Sequence, residues 1–500
     1  MARHPWRAHP GVATLAACLL IAGCTVGPDY ERPESDMPEA WQSEILTGGD
    51  RTQELGAWWT RYDDPVLIRL VERAQRENLD IAAQAARVRQ ARAELGLQKA
   101  EQYPTVDAQA DAARQRNSEE GTASGPAAGM TFNTFSLAAS LNYELDLWGE
   151  TERQEQAARA RLFESAFTKD AVRLNVVTDV VTTYFNLRAA ERQLAIARET
   201  ARSREETLQL QESRQDAGDI ASLPVQQARA ELETTRAAIP PLREQIRRQR
   251  TALAILVGAT PREIVNELDT QGPPLTEAQV PQGIPATLPS NLLERRPDVR
   301  AAEATLVAAN ADVGVAKSQW YPNVNLAGLL GVEALETSDL FQGSARTWSI
   351  GGSVLQPLVY FGRIQSNVDS AEAARDLAGV SYRQTLRTAF QEVDISLTAL
   401  QASRERLTAR QRQVSALQET LEVADRRYEG GFTSYIDVLD AQRGLFDAQL
   451  AMVEARRDEL TAVATLYKAL GGGWSNDRDI GATSRDTAGS NEPTSFIEGL

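Results

Sequence analysis

Residues 135–149 read FSLAASLNYELDLWG. Phe135, Leu137, Ala139, Leu141, Tyr143, Leu145 and Leu147 alternate with Ser136, Ser140, Asn142, Glu144 and Asp146, so a strand here turns one face apolar and the other polar. The alternation runs for about ten residues, the length a tilted strand needs to cross a bilayer. An earlier leg, in which Val106, Ala108, Ala110 and Ala112 alternate with Thr105, Asp107, Gln109 and Asp111, makes a hairpin across a polar loop at 116–131. Two surroundings fit such a hairpin: lipid on the apolar side, or the core of a soluble domain.

The hairpin belongs to a duplication. From Trp148-Gly149 onward, residues recur in kind 213 positions later, at Phe361-Gly362, with Gly218 echoed by Gly431 and Gly258 by Gly471. Val177, Val180, Tyr184, Leu187 and Leu194 map onto Phe390, Val393, Leu397, Leu400 and Leu407, each set a helix-packing seam. Upstream the offset is 218, pairing Asp80 with Asp298, Tyr103-Pro104 with Tyr321-Pro322 and Val106 with Val324. The difference falls in the hairpin loop, longer in the first copy. The second hairpin carries Val324, Leu326, Leu330 and Val332, then Trp348, Ile350 and Val354, around a loop at 333–346.

The spacing predicts this order: a leader (1–23), a tether and wrapping segment (24–63), repeat 1 (64–258), a proline-rich linker (259–290), repeat 2 (291–470) and a disordered tail (471–500). Each repeat is helix, β-hairpin (104–147, 322–358), long helix (151–215, 364–428), tip (216–222, 429–434) and returning helix. The long stretches lack proline, and at 1.5 Å per residue each reaches on the order of 100 Å. They end at Ala217-Gly218-Asp219 and Gly430-Gly431, and the returning helices are predicted to start with N-caps at Ser222 and Ser434. Ser434-Tyr435-Ile436-Asp437 fits a capping box. Asp64-Pro65 reads as a helix start, and Pro240-Pro241 as a break or kink in the first returning helix. Arg295-Arg296-Pro297-Asp298 fits a helix entry better than an anion site.

The N-terminus indicates the compartment. Arg3 and Arg7 precede an apolar run from Val12 to Ala22, a secretory signal too short for a spanning helix. Leu20-Ile21-Ala22-Gly23-Cys24 resembles a bacterial lipobox, which marks Cys24 for diacylation, and Thr25 after it resembles an outer-membrane address. Ordinary cleavage beside a chance cysteine is the alternative. Loss of the leader removes His4, His9 and Cys18, leaving no histidine and only Cys24. Histidine-based catalysis, zinc fingers, thiol nucleophiles and disulfides are thereby excluded. No phosphate loop, nucleophile elbow or calcium loop appears, so neither an enzyme nor a cofactor beyond the lipid on Cys24 is expected. The net charge of −16 becomes −18 without Arg3 and Arg7, opposite in sign to a nucleic-acid binder and suited to a cation-preferring lumen.

Four amphipathic strands cannot close a membrane barrel, and an open edge in lipid is not tolerated, so spanning strands require several chains to share one barrel. The lipobox with Thr25-Val26-Gly27-Pro28-Asp29-Tyr30, Trp58-Trp59, Asp64-Pro65, Leu292 through Arg300, and Tyr428 through Asp440 together resemble the outer-membrane factor lipoproteins, the TolC/OprM-like NodT group. The resemblance spans residues 18–474. It implies a mainly α fold with a membrane β-barrel portion: a homotrimer whose barrel of twelve strands, four per chain, continues into a long periplasmic α-helical barrel. It also implies a passive exit channel in the outer membrane, extending into the periplasm. Its partners would be a periplasmic adaptor (membrane fusion protein) and an inner-membrane pump of the resistance-nodulation-division type.

By residue match, Asp437 and Asp440 resemble the carboxylate ring that narrows such tunnels, and Tyr428 a tyrosine of the closing network. Asp437 as a simple helix cap is the other reading. The family's arginine at the position of Thr433 is absent, which argues against the same salt-bridged latch. Gly218, Asp219, Ser222, Gly430, Gly431 and Ser434 mark the tips implied to meet the adaptor. Asp437 and Asp440 correspond to Pro224 and Gln227, so only one hairpin carries the acids. Two rival readings are a duct for type I protein secretion and a lipid-anchored coiled-coil spacer, the latter predicting uniform heptads without apolar-faced strands.

Overall fold

The computed structural model describes residues 25–34, 55–120, 128–263, 274–275, 277–281 and 295–473. The leader, Cys24, most of the linker and the tail from 474 lie outside the described residues. After a 3₁₀ turn (Trp58–Tyr62) come α1 (Pro65–Glu77), α2 (Leu79–Ala100), β1 (Thr105–Arg116), β2 (Thr131–Leu145), α3 (Glu150–Asp216) and α4 (Ser222–Leu256). Then follow α5 (Pro297–Ser318), β3 (Asn323–Ala334), β4 (Arg346–Leu355), α6 (Arg363–Glu429) and α7 (Tyr435–Ala469).

The duplication reappears in element ends. Helices α3 and α6 have 67 residues each and α4 and α7 have 35 each, and both pairs begin and end 213 positions apart. Helices α2 and α5, with 22 residues each, and strands β1 and β3, with 12 each, do so 218 positions apart. Strands β2 and β4 differ, at 15 and 10 residues. β4 pairs with one neighbour only and stops two residues before Pro357, which has no N–H to donate. Gly258 and Gly471 close the returning helices at φ +68° and +73°. The next N–H reaches back five residues in both copies, Ala259 to Ala254 and Gly472 to Tyr467. A Cβ at Gly258 would lie 2.2 Å from the Glu77 carbonyl oxygen, so glycine is required there.

The chain forms two compact units. The first (residues up to 33, 89–164 and 303–381) holds the antiparallel sheet β1-β2-β3-β4. Its pairing aligns the apolar residues on one face: Val106 with Leu141, Gly328 and Ile350; Ala110 with Leu137 and Val332; Leu330 with Trp348. Among the described residues that face is left uncovered, for Val106 is 66%, Leu330 69% and Ile350 82% exposed. A hairpin on a soluble core would bury these side chains. The opposite face carries Asp107 across from Ser140, and Asp111 and Glu333 on either side of Ser136.

Residues 25–33 are strapped to this unit. The Val26 N–H donates to the Trp148 carbonyl (2.9 Å) and Asn310 Nδ2 to that of Pro28 (2.9 Å), while Arg153 meets Asp29 (3.1 Å). Glu303 accepts from the Tyr30 hydroxyl (3.1 Å) and from Arg32 Nε and Nη2 (2.6 and 3.0 Å).

The second unit (34–88, 165–302 and residues from 382) holds the main core. The expected seams meet in it, Val177, Val180, Tyr184 and Leu187 sharing one buried cluster with Val393, Leu397 and Leu400. Trp58 lies in the same cluster and stacks on Tyr467 at 5.3 Å, so the described end of the expected tether is core. Asp64 caps α1, accepting from the N–H groups of Val66 and Leu67, with Pro65 at the first position. Arg296 is occupied by Asp298, Glu392 and the Ala469 carbonyl, which makes it a structural arginine.

Two expectations are corrected. Pro240-Pro241 does not break α4, which runs unbroken from Ser222 to Leu256, so of the expected break or kink the break is overturned. The carbonyls released by the two missing N–H groups belong to Arg236 and Ala237, both exposed to solvent, so the loss leaves no buried carbonyl orphaned. Ser222 is not an N-cap: Ala221 holds that place without a side-chain bond, and Ser222 is the first helical residue. The repeat offset explains this, since the counterpart of Ser434 is Ala221.

Candidate gate at the helical hairpin tips

Both tips belong to the second unit. After α3, the Gly218 N–H bonds the Gln215 carbonyl and that of Asp219 the Arg214 carbonyl; after α6, Gly431 bonds Tyr428 and Phe432 bonds Arg427 in the same pattern. Gly218 and Gly431 have left-handed φ of +82° and +74°, and a Cβ on either would meet nothing within 4 Å. Asp219 and Phe432 are exposed beside them, and Gly430 lies against the Phe432 ring.

Asp437 serves as a cap. Its Oδ2 accepts from the Ser434 N–H and hydroxyl, both at 3.2 Å, and from the Thr433 hydroxyl. The Thr433 bond first, then those from Ser434, hold the Asp437 carboxyl below the ordinary carboxylate range. Thr433, where the resembled family has arginine, thus supplies a neutral donor to its own helix. Asp437 has no bond to the other hairpin among the described residues.

Asp440 begins a chain of charges between hairpins. It accepts from Arg443 Nη1 at 3.4 Å; Arg443 Nε reaches Glu231 Oε2 on α4 at 2.6 Å, and Glu231 Oε1 lies 2.6 Å from Arg204 Nη1 on α3. Glu231 and Arg204 are each 5% exposed in their side chains. Arg204 also donates to Thr235 and lies over the Phe446 ring at 5.4 Å. Burial pulls the Arg204 guanidinium below its ordinary value, and its Nε and Nη2 have no hydrogen-bond partner among the described residues.

Tyr428 makes the second tie. Its hydroxyl donates to Oε1 of buried Gln211 on α3 at 3.2 Å, and its ring lies 5.4 Å from that of Tyr435. Burial first, then Tyr428, pushes the Tyr435 phenol up to about 12. Tyr435, Val438 and Leu439 pack on Ala228, with Leu208 and Leu421 alongside, so the ties cross an apolar contact among the four helix ends.

Sequence reasoning missed Arg204, Glu231 and Arg443. Their signal lies in the repeat, whose counterparts are Leu417, Gly444 and Ala230. A Cβ on Gly444 would lie 3.3 Å from Leu417, so these two positions touch in the second hairpin as well, with leucine and glycine in place of the ion pair.

A sheet with two open edges and an uncovered apolar face, in a chain that also builds paired helical hairpins, defines a subunit of an oligomeric membrane channel. The chain belongs to the outer membrane efflux protein family, whose model matches residues 70–259 and 288–472. It is 32% identical over 464 residues to the solvent efflux pump outer membrane protein SrpC of Pseudomonas putida, covering 92% of this chain and 97% of that protein. The cation efflux system protein CusC of Escherichia coli is 31% identical, over 91% of this chain and 97% of its own length. The solved outer-membrane channel OprN superposes with a TM-score of 0.84 at 31% identity, over 90% of this chain and all of that one. The fold is therefore that of the trimeric outer-membrane channels, in which four strands are one chain's share of a twelve-stranded barrel. The protein resides in the outer membrane and extends into the periplasm. Among the described residues no helix is long and apolar enough to span a bilayer.

Proposed function

We propose that three copies form the exit duct of a tripartite efflux system, conducting small molecules passively outward while an inner-membrane pump, reached through a periplasmic adaptor, supplies the energy. The observation that carries this reading is the apolar strand face, in register over four strands and uncovered. A coiled-coil spacer has no use for such a face. The relatives, a solvent efflux pump protein and a cation efflux system protein, favour small cargo over secreted protein.

The duct closes at the hairpin tips. Tyr428 to Gln211 and Arg443 to Glu231 hold the second hairpin against the first, and opening breaks both ties. Asp437 and Asp440, repeated around three chains, add an acidic ring that favours cations. The tips at Gly218 and Gly431 present exposed backbone for the adaptor. Diacylated Cys24 anchors the strap, whose next residues are fixed at Trp148. Accumulation of solvents and metal ions in a strain lacking the gene, with and without complementation, tests the reading. Unchanged accumulation together with loss of a secreted protein would replace it with a secretion duct.

A further inference from the structure

The sheet leaves β1 and β4 as edges, and the repeat specifies how the β4 edge meets the β1 edge of a second copy. The seam between β2 and β3 is already a contact between consecutive repeats, so β4 against the next copy's β1 is that same contact one repeat further on. Along the hydrogen-bond direction Val106 leads to Leu141 and Leu141 to Gly328, four residues beyond Val324, the repeat counterpart of Val106. A closed barrel requires a fixed stagger, and three copies of a duplicated unit close smoothly when every repeat advances equally. Val324 leads in turn to Val354, and the same advance ends four residues beyond Val106, at Ala110 of the next copy.

We propose that β4 pairs antiparallel with the partner's β1 in one register: Val354 opposite the partner's Ala110, Gly352 opposite the partner's Ala112, and Phe361 packed on the partner's Tyr103. The inference rests on the shared barrel. It keeps apolar Val354 with an apolar neighbour and polar Ser353 with the partner's Asp111. A slip of one residue would turn the apolar face inward, while a slip of two keeps the faces but breaks the four-residue advance. The aromatic contact has a template within the chain, where Trp148 stacks on Tyr321 at 4.8 Å and donates from Nε1 to the Pro322 carbonyl at 2.8 Å. The counterparts of Trp148 and Tyr321 are Phe361 and Tyr103. In the single chain they are 98% and 69% exposed, the two halves of a contact that only another copy completes.

Paired cysteines test the register, because residues directly opposite lie within disulfide range and those two positions along do not. The mature chain carries no cysteine other than Cys24. Full-length Val354→Cys/Ala110→Cys is expected to give a covalent trimer on oxidation in outer membranes, while Val354→Cys with Ala108→Cys or Ala112→Cys stays mostly uncrosslinked. Crosslinking confined to a shifted pair overturns the register and leaves the shared barrel standing. Absence of crosslinks in all pairs of correctly inserted protein overturns both. Should a strand pair fail to insert, Phe361→Ala and Tyr103→Ala provide a second test. Each should lower the temperature at which the trimer dissociates, and the double variant should fall little below either single one; fully additive losses contradict the contact.

Discussion

Arg443 Nε lies 2.6 Å from Glu231 Oε2, so the start of one returning helix is bound to its counterpart in the other repeat through a carboxylate that also holds Arg204. Glu231→Ala would leave Arg204 buried without its counter-ion, a loss of about 3–5 kcal/mol. The second hairpin suggests the repair: Arg204→Leu with Glu231→Gly recreates the Leu417 and Gly444 pair. That double variant is expected to regain most of the stability lost by Glu231→Ala, measured by thermal unfolding in detergent. It should not regain the tie to Arg443.

The Asp437 cap carries a defined pH dependence. Its folded pKa lies below the unfolded value of about 3.9, so its contribution is complete above that value and is lost as pH falls through the depressed one. Hydrogen exchange at the first turn of α7 should be protected down to pH 4 and lose protection below it. Thr433→Val, which removes the leading donor, should move that loss to higher pH.

The two faces of β4 respond oppositely to charge. Ile350 lies on the apolar face and Ser349, opposite Leu329, on the other. Ile350→Lys is expected to cost up to about 2–4 kcal/mol at the bilayer midplane and to reduce heat-stable trimer in outer membranes, whereas Ser349→Lys leaves assembly intact. Semi-native gel electrophoresis distinguishes the two.

Asp437 and Asp440 differ in their bonds, one capping its own helix and the other reaching Arg443. Replacing both with Ala should lower the preference for cations over anions, read from the reversal potential in a salt gradient. Equal selectivity would remove the acidic ring from the account.

Much of this was legible because the chain states its architecture twice. The strand alternation from Phe135 to Leu145 and the two sets of helix-ending glycines are local signals, readable without a fold. At Ser222 serine's local preference for the N-cap place loses to the repeat, which puts Ala221 there. Pro240-Pro241 does not break α4 because the carbonyls of Arg236 and Ala237 are exposed, which the local sequence does not reveal. The clasp of Arg32 on Glu303 and the tie of Arg443 to Glu231 join residues 271 and 212 positions apart, distances at which no periodicity speaks. Only the places where the repeat fails, Arg204 for Leu417 and Glu231 for Gly444, hinted at the second of these.

Single-channel conductance in planar lipid bilayers tests most directly whether Tyr428 and Arg443 hold the duct shut. Wild-type protein should give small, rarely open currents, and Tyr428→Phe/Arg443→Ala should raise the conductance several-fold at unchanged trimer content. The same small conductance in both would contradict closure at these tips.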